Sequence, residues 1–341
     1  MQEQLTQELL KILQSLEILS PTSFSFAKTA VSVADVSKQQ SSDFIEEKHL
    51  VDQLMGRLYF HCYCRKFEGV ITDEWDNPTP DEDFVRQLSE ANTTREHFDR
   101  GWSILYVLPT GHYIVQKNGL IRTVSEGEFI SHEPRSVPLG EGMAISICCP
   151  KESTTMHRGF YYIFGEAISD QQDDDDLLKF YWNIRADGAR KLVRLLTQRL
   201  NRFQIPFRLK CLNSSAAYKR ADAAVLYFNR RFYPLGVQLL ADVYRAVEEH
   251  LEANTPLFSK RLADGLGLAE EPGNGESFGQ QRCRIVAEGI WNAYKLNLKA
   301  DPERLGEVIK QFEINGLSFE RPYLNPGSID QYDFSFPQAA I

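Results

Sequence analysis

Three stretches of the chain gather groups that can move a proton or hold an anion. The first is Phe207-Arg208-Leu209-Lys210-Cys211-Leu212. Read as a strand, it points Phe207, Leu209 and Cys211 one way and Arg208, Lys210 and Leu212 the other. Cations that crowd an amine disfavour its charged form, and a neutral amine is a base. Lys210 is therefore the candidate base, with a solvent-facing strand lysine as the ordinary alternative. The second stretch runs from Tyr218 to Tyr227. Arg220 offers a planar fork for a phosphate or carboxylate. Asp222 is placed to orient either Arg220 or Lys210, and the phenols of Tyr218 and Tyr227 are candidate proton donors. The ordinary alternative is an Arg–Asp pair closing a turn.

The third stretch, from Gly273 to Arg284, is a glycine-rich loop that feeds a helix, with Ser277 as its cap. Backbone N–H groups at such a terminus attract anions. Arg282 falls in the first turn, where a cation opposes the helix dipole, and Arg284 follows it. No Gly-Lys-Ser/Thr follows, so the loop is not a Walker motif; a capped helix with solvent arginines would look the same. His157 is a candidate acid, although a lone histidine is more commonly structural. Gly275-Glu276-Ser277-Phe278-Gly279 has the G-x-S-x-G spacing, but its Ser277 reads as the cap of the following helix. The sequence contains no H-E-x-x-H or G-x-G-x-x-G, so zincin and dinucleotide-binding readings have no motif behind them.

Elements must position these groups. Leu5, Leu9, Leu10, Leu13 and Leu16 repeat at helical spacing, and a second helix is expected near Asp43–Phe67. An acidic loop at Asp73–Asp83 leads into a third, so residues 1–100 read as a helical region, with residues 28–42 as a loop. The character changes at Trp102. Trp102–Leu108, Tyr113–Lys117, Leu120–Val124, Met143–Cys149 and Gly159–Phe164 read as strands, and Asn118-Gly119 is a type I′ hairpin signal. Phe180–Ile184, Pro206–Cys211 and Ala223–Phe228 are further strands. Asp187 is the expected cap of the helix carrying Leu192, Leu196 and Leu200. Beyond Gly236 helices are expected at Leu239–Leu251, Phe258–Leu266, Gln281–Asn297 and Pro302–Asn315, and then a loop. Strands and helices both alternate and segregate, which predicts an α+β fold: an N-terminal helical region, a mixed domain at 101–330 with a central, largely antiparallel sheet, and a tail at 331–341.

Charge narrows the function. The 341 residues carry a net charge of −9, which argues against a general nucleic-acid binder. Between Lys179 and Arg231, however, thirteen basic residues face only two acids, Asp187 and Asp222. A basic field in an acidic chain suggests one anionic ligand site, with a solvated helix face accounting for part of it. The six cysteines include no C-x-x-C pair, so neither a disulfide framework nor a metal site is expected, and a reducing cytoplasm fits. Packing on an apolar helix is the better reading of His61, Cys62 and Cys64. No run of apolar residues reaches the roughly 18 needed to span a membrane, and the N-terminus lacks the basic region and apolar run of a secretory signal.

Taken together, Gly159–Gly165, Phe180-Tyr181-Trp182-Asn183, Pro206–Leu212, Tyr218–Tyr227, Gly265–Glu270, Gly275–Gly279 and Arg321–Ser328 resemble the HopA-type effector-like family over about residues 100–330. Many bacterial members of that family sit in gene clusters for ribosomal peptides such as class V lanthipeptides and thioamitides. The resemblance implies a cofactor-independent phosphoserine/phosphothreonine lyase that acts after a separate kinase has phosphorylated a precursor peptide. In the related lyases a strand lysine takes the α-proton, arginines hold phosphate and a histidine protonates the leaving oxygen. By that pattern Lys210 matches the base and Arg220 a phosphate arginine, with Arg185, Arg282 and Arg284 in support. Tyr181, Asn183, Tyr218 and Ser277 would meet the substrate. Asn183 stands where the acid histidine is expected, so His157 or a tyrosine takes over, the leaving phosphate needs no acid, or the chain binds phosphopeptides or a kinase without reacting. A role acting on host immunity proteins is the third reading.

Overall fold

The computed structural model describes residues 2–32, 43–71, 79–134 and 136–334. Helix α1 (Gln2–Gln14) turns Leu5, Leu9, Ile12 and Leu13 inward, as their spacing predicts. Strands β1 (Leu16–Ser20), β2 (Ser23–Phe26) and β3 (Thr29–Ser32) then form an antiparallel meander with Phe24 and Phe26 buried. The expectation of helix, and of a loop from residue 28, is corrected over residues 16–32; the remainder of that expected loop, 33–42, lies outside the described residues. The turn between β2 and β3 places Ala27 and Lys28 at φ 48° and 69°, so the hairpin lacks the Gly or Asn that marks such turns in a sequence. Helix α2 (Asp43–Leu58) passes into a π-helical turn at Tyr59–Tyr63. Helix α3 (Glu82–Ala91) is capped by Asp81, whose carboxylate accepts from the Phe84 N–H. Most of the acidic loop before it lies outside the described residues.

Two antiparallel sheets follow. The smaller contains β4 (His97–Val107), β5 (Tyr113–Lys117), β6 (Leu120–Val124), β7 (Phe129–Ser131) and β8 (Ala144–Cys149), in the order β6-β5-β4-β8-β7. The β5–β6 turn has Asn118 at φ 50° and Gly119 at 84°, as the Asn-Gly signal predicts. Trp102, Ile104, Val115 and Ile145 give this sheet a small core of its own. The larger sheet contains β9 (Glu152–Ser153), β10 (Phe160–Phe164), β11 (Leu177–Trp182), β12 (Arg208–Leu212), β13 (Ala224–Asn229), β14 (Lys260–Ala263) and β15 (Leu266–Glu270). Its order is β14-β15-β11-β13-β12-β10-β9. Helices α4 (Ala186–Arg202), α5 (Tyr233–Val247), α6 (Phe278–Lys295) and α7 (Asp301–Ile314) complete an α+β fold.

Two local expectations are corrected. Residues 258–266 form not a helix but β14 and the turn into β15, with Gly265 at φ 69° closing the hairpin. Helix α4 begins after Arg185, with no side-chain cap. The carboxylate of Asp187 pairs instead with Arg185 and His250.

The larger sheet has two unlike faces. One is apolar and carries Leu178, Phe180, Leu209, Leu226 and Phe228. Helix α5 lies on it, stacking Tyr233 on Phe180 with ring centroids 6.3 Å apart. The other face carries lysine, arginine and tyrosine, and the π-turn and α6 cover part of it. Tyr63 and Phe278 meet Tyr181 there, at 6.3 and 6.4 Å between ring centroids. Among the described residues, no helix is long and apolar enough to cross a membrane.

Candidate functional site

Residues directly opposed in an antiparallel sheet point to the same face. The register therefore lines up Tyr162 (β10), Lys210 (β12), Val225 (β13) and Tyr181 (β11) in one row. Two residues along the strands, the next row holds Phe164, Arg208, Tyr227 and Lys179. The ring of Tyr227 is the centre of this face. The Arg208 guanidinium carbon lies 5.1 Å from its centroid, Lys179 Nζ 5.4 Å and Lys210 Nζ 5.9 Å. Such cation–ring contacts help to hold positive groups near one another. Lys210 Nζ also sits 4.5 Å from the centroid of Phe160, and the exposed His157 stacks with the same ring at 6.4 Å.

The cations differ in what they are free to do. Lys179 is buried and ion-paired to Glu271. Arg208 and Lys210 are half-buried, and among the described residues neither forms an ion pair. Burial pushes the Tyr227 phenol above its ordinary range, against the opposing pull of Lys179 and Arg208. At neutral pH it is thus an O–H donor. Burial likewise raises Tyr162, against Lys210.

A second cluster closes the end of this face. Arg220 donates from Nε and Nη2 to the two oxygens of Asp222, both at 2.8 Å, and from Nη2 to Cys64 Sγ at 3.1 Å. Burial alone would raise the Asp222 carboxyl; the Arg220 guanidinium, with Lys210 beyond it, holds it below the usual carboxylate range. Burial, with Asp222 adding to it, pushes the Cys64 thiol up to about 12. Cys64 is therefore a thiol at neutral pH and no nucleophile. The Ala221 N–H donates to the Cys64 carbonyl at 2.7 Å, so the Arg220–Asp222 turn is docked on the end of the π-turn.

The π-turn is the local oddity that makes this docking possible. Cys64 N–H donates five residues back, to the Tyr59 carbonyl, at 2.9 Å, and Tyr59 and Tyr63 stack with centroids 5.2 Å apart. Such turns recur at functional sites. Helix α6 approaches them through Gly279, where an added Cβ would fall 2.4 Å from Tyr63 Cε1 and 2.8 Å from Tyr59 Cε2.

The structure brings together Lys210, Tyr227, Asp222, Arg220 and Tyr181, with His157 beside Phe160 at the rim. The other expected site residues have different occupations. Arg282 is wholly buried and donates to the carbonyls of Pro322 and Leu324, at 2.7 and 3.0 Å. Burial brings its guanidinium down to about 10, with Tyr181 and Tyr63 opposing. Arg284 is ion-paired to Asp52 and Glu276 at 2.6 and 2.7 Å. Arg185 sits at the N-terminus of α4 against Asp187, Glu252 and the Glu249 carbonyl. The Asn183 amide donates to the Asn254 carbonyl at 2.9 Å, and the Tyr218 hydroxyl to that of Leu212 at 3.1 Å. Ser277 caps α6 in a reciprocal box with Gln280. Arg208, Lys179 and the π-turn tyrosines are site residues that the sequence motifs do not mark. The strand alternation already put Arg208 beside Lys210, whereas the π-turn leaves no sequence signal.

The HopA1 effector protein family matches residues 151–324, a stretch that contains both cation rows and the Arg220–Asp222 pair, and the chain belongs to that family. Two solved structures are similar over most of the chain. An effector protein from Pseudomonas syringae pv. tomato strain DC3000 is 15% identical, covering 95% of this chain and 99% of its own, with a TM-score of 0.44. An effector protein from Pseudomonas syringae pv. syringae strain 61 is 12% identical, covering 81% and 95%, with a TM-score of 0.43. No curated protein matches the chain.

Proposed function

We propose that the chain is a phosphoserine/phosphothreonine lyase, which eliminates phosphate from a peptide that a separate kinase has phosphorylated. The observation that carries this reading is the pair Arg208 and Lys210, two cations of β12 that meet one protonated phenol and, among the described residues, form no ion pair with a carboxylate. Elimination needs a base at Cα, neutralisation of the leaving phosphate and support for the enolate-like charge that develops. The Lys210 amine takes the α-proton. The C–H electron pair becomes the Cα–Cβ double bond, the Cβ–O bond breaks, and inorganic phosphate leaves. Arg208 holds the phosphate, since the fork of Arg220 is filled by Asp222. The Tyr227 hydroxyl donates to the developing charge or to the leaving oxygen, and His157 is the alternative donor at the rim. No step calls for a cofactor.

Mass spectrometry of a phosphothreonine peptide tests the reading. A product one water lighter than the unphosphorylated peptide means a lyase. A product equal to the unphosphorylated peptide means a phosphatase and refutes the mechanism. Lys210→Ala abolishes turnover and leaves the thermal melt in place; full activity in that variant removes Lys210 as base. The second reading, a module that binds phosphopeptide or kinase without reacting, is favoured by one observation. Asn183, in the position where related lyases carry their acid, has its amide committed to the backbone of Asn254. An unchanged phosphopeptide in the presence of the kinase would favour it.

A further inference from the structure

Where the two sheets meet there is a cavity of about 480 Å³. Its apolar walls are Val124 and Ile147 from the smaller sheet, Phe164 from the larger, Phe207 just before β12, and Ile168 and Met156. Arg208 and Tyr227 also line it, the groups assigned above to phosphate binding and proton donation. The cavity and the cation row therefore share a wall. Hydrogen bonds tie the smaller sheet down beside it: Arg122 donates to the Ser169 carbonyl at 2.8 Å, and the Ile121 N–H to Asp170 at 2.9 Å.

We propose that this cavity takes a large apolar side chain of the phosphopeptide, from a residue next to the phosphorylated one. The inference rests on the lyase reading, since Arg208 fixes where the phosphate sits. Neighbouring Cα atoms are about 3.8 Å apart, so a peptide anchored by phosphate at Arg208 presents its neighbour to the adjoining wall. An apolar cavity of about 150 Å³ already holds a benzene-sized guest, so this one has room for an aromatic or long aliphatic side chain. Met156 is 54% exposed at the mouth, and its flexible thioether adapts to different guests.

Binding to the wild-type protein tests this without turnover. The probes are fluorescent peptides carrying a phosphonate in which methylene replaces the bridging oxygen, so that nothing can be eliminated. Leu, Phe or Gly is placed at each flanking position, and anisotropy is read. Leu or Phe at one of the two positions should bind roughly 10- to 100-fold tighter than Gly, the range expected for burying one such side chain. Ile147→Trp, which fills the cavity, should erase that preference and keep the phosphonate dependence. Met156→Glu, on the exposed rim, should reduce it with no cost in folding. Binding that requires the phosphonate but ignores the neighbour overturns the proposal and leaves the lyase reading standing. Binding that ignores the phosphonate overturns both.

Discussion

Replacing Asp222 by Asn should destabilise the protein sharply, and the reason lies in what it would strand. The Asp222 and Arg220 side chains are 3% and 13% exposed, and the carboxylate takes both arms of the guanidinium. Asn keeps one acceptor and removes the charge, so Arg220 is left as a buried cation beside a thiol. Removing one partner of a buried pair costs about 3–5 kcal/mol, and the small exposure of Arg220 puts the expected loss near the lower end. Against a total of about 5–15 kcal/mol, that is a large fraction. Urea unfolding should show a lower midpoint at an unchanged slope. Asp222→Leu combined with Arg220→Met removes both charges and should recover most of the loss. The same pair has a pH signature. Because the folded Asp222 carboxyl titrates below its unfolded value, its contribution is present above about pH 4 and fades as the pH falls towards the folded pKa. A loss under about 1 kcal/mol in Asp222→Asn, or a double variant no better than the single, would refute the uncompensated-charge argument.

Gly279→Ala should cost about 1–3 kcal/mol through overpacking against Tyr63 and Tyr59; a melting temperature unchanged from wild type would show that α6 gives way freely. Burial raises the phenols of Tyr63, Tyr181 and Tyr218 well above 10. They thus contribute stability below about pH 10 that is lost as the pH rises further. Ultraviolet titration should count fewer phenolates in the folded protein than in urea at pH about 10.5, and equal counts would contradict the burial argument. Cys64, with its thiol near 12, should resist iodoacetamide at pH 8 until the protein unfolds, while the half-buried Cys148 reacts first.

How much of this was readable beforehand depends on the range of the interaction. Strand alternation at Phe207–Leu212 needs only neighbours along the chain, so the cationic face of β12 was legible. The Asn118-Gly119 turn and the Ser277 cap carry their chemistry in adjacent residues and were legible too. The spacing of Phe258, Leu262 and Leu266 fits either period, so residues 258–266 read as helix; pairing with β15 decides in favour of a strand. Arg282 and Arg284 look alike in sequence. Only the fold shows that one holds the carbonyls of Pro322 and Leu324 while the other bridges Asp52 and Glu276. Arg220 and Asp222 do form the turn-closing pair that was their ordinary alternative, and the same pair anchors the candidate site.

The π-turn at Tyr59–Tyr63 has a consequence for length. A turn of this kind is an α-helix holding one residue too many. Deleting a single residue there would let the segment relax into regular helix, a locally favourable change. Because the wide turn absorbs the extra residue, the helix on either side would keep its phase, and Cys64 would still close on the Tyr59 carbonyl, now by an ordinary four-residue bond. Tyr59 and Tyr63 would instead stand three residues apart, and the stack that faces Gly279 would have to re-form. A relative that keeps Arg220 and Asp222 can therefore be one residue shorter at this point and still dock them on the end of this helix.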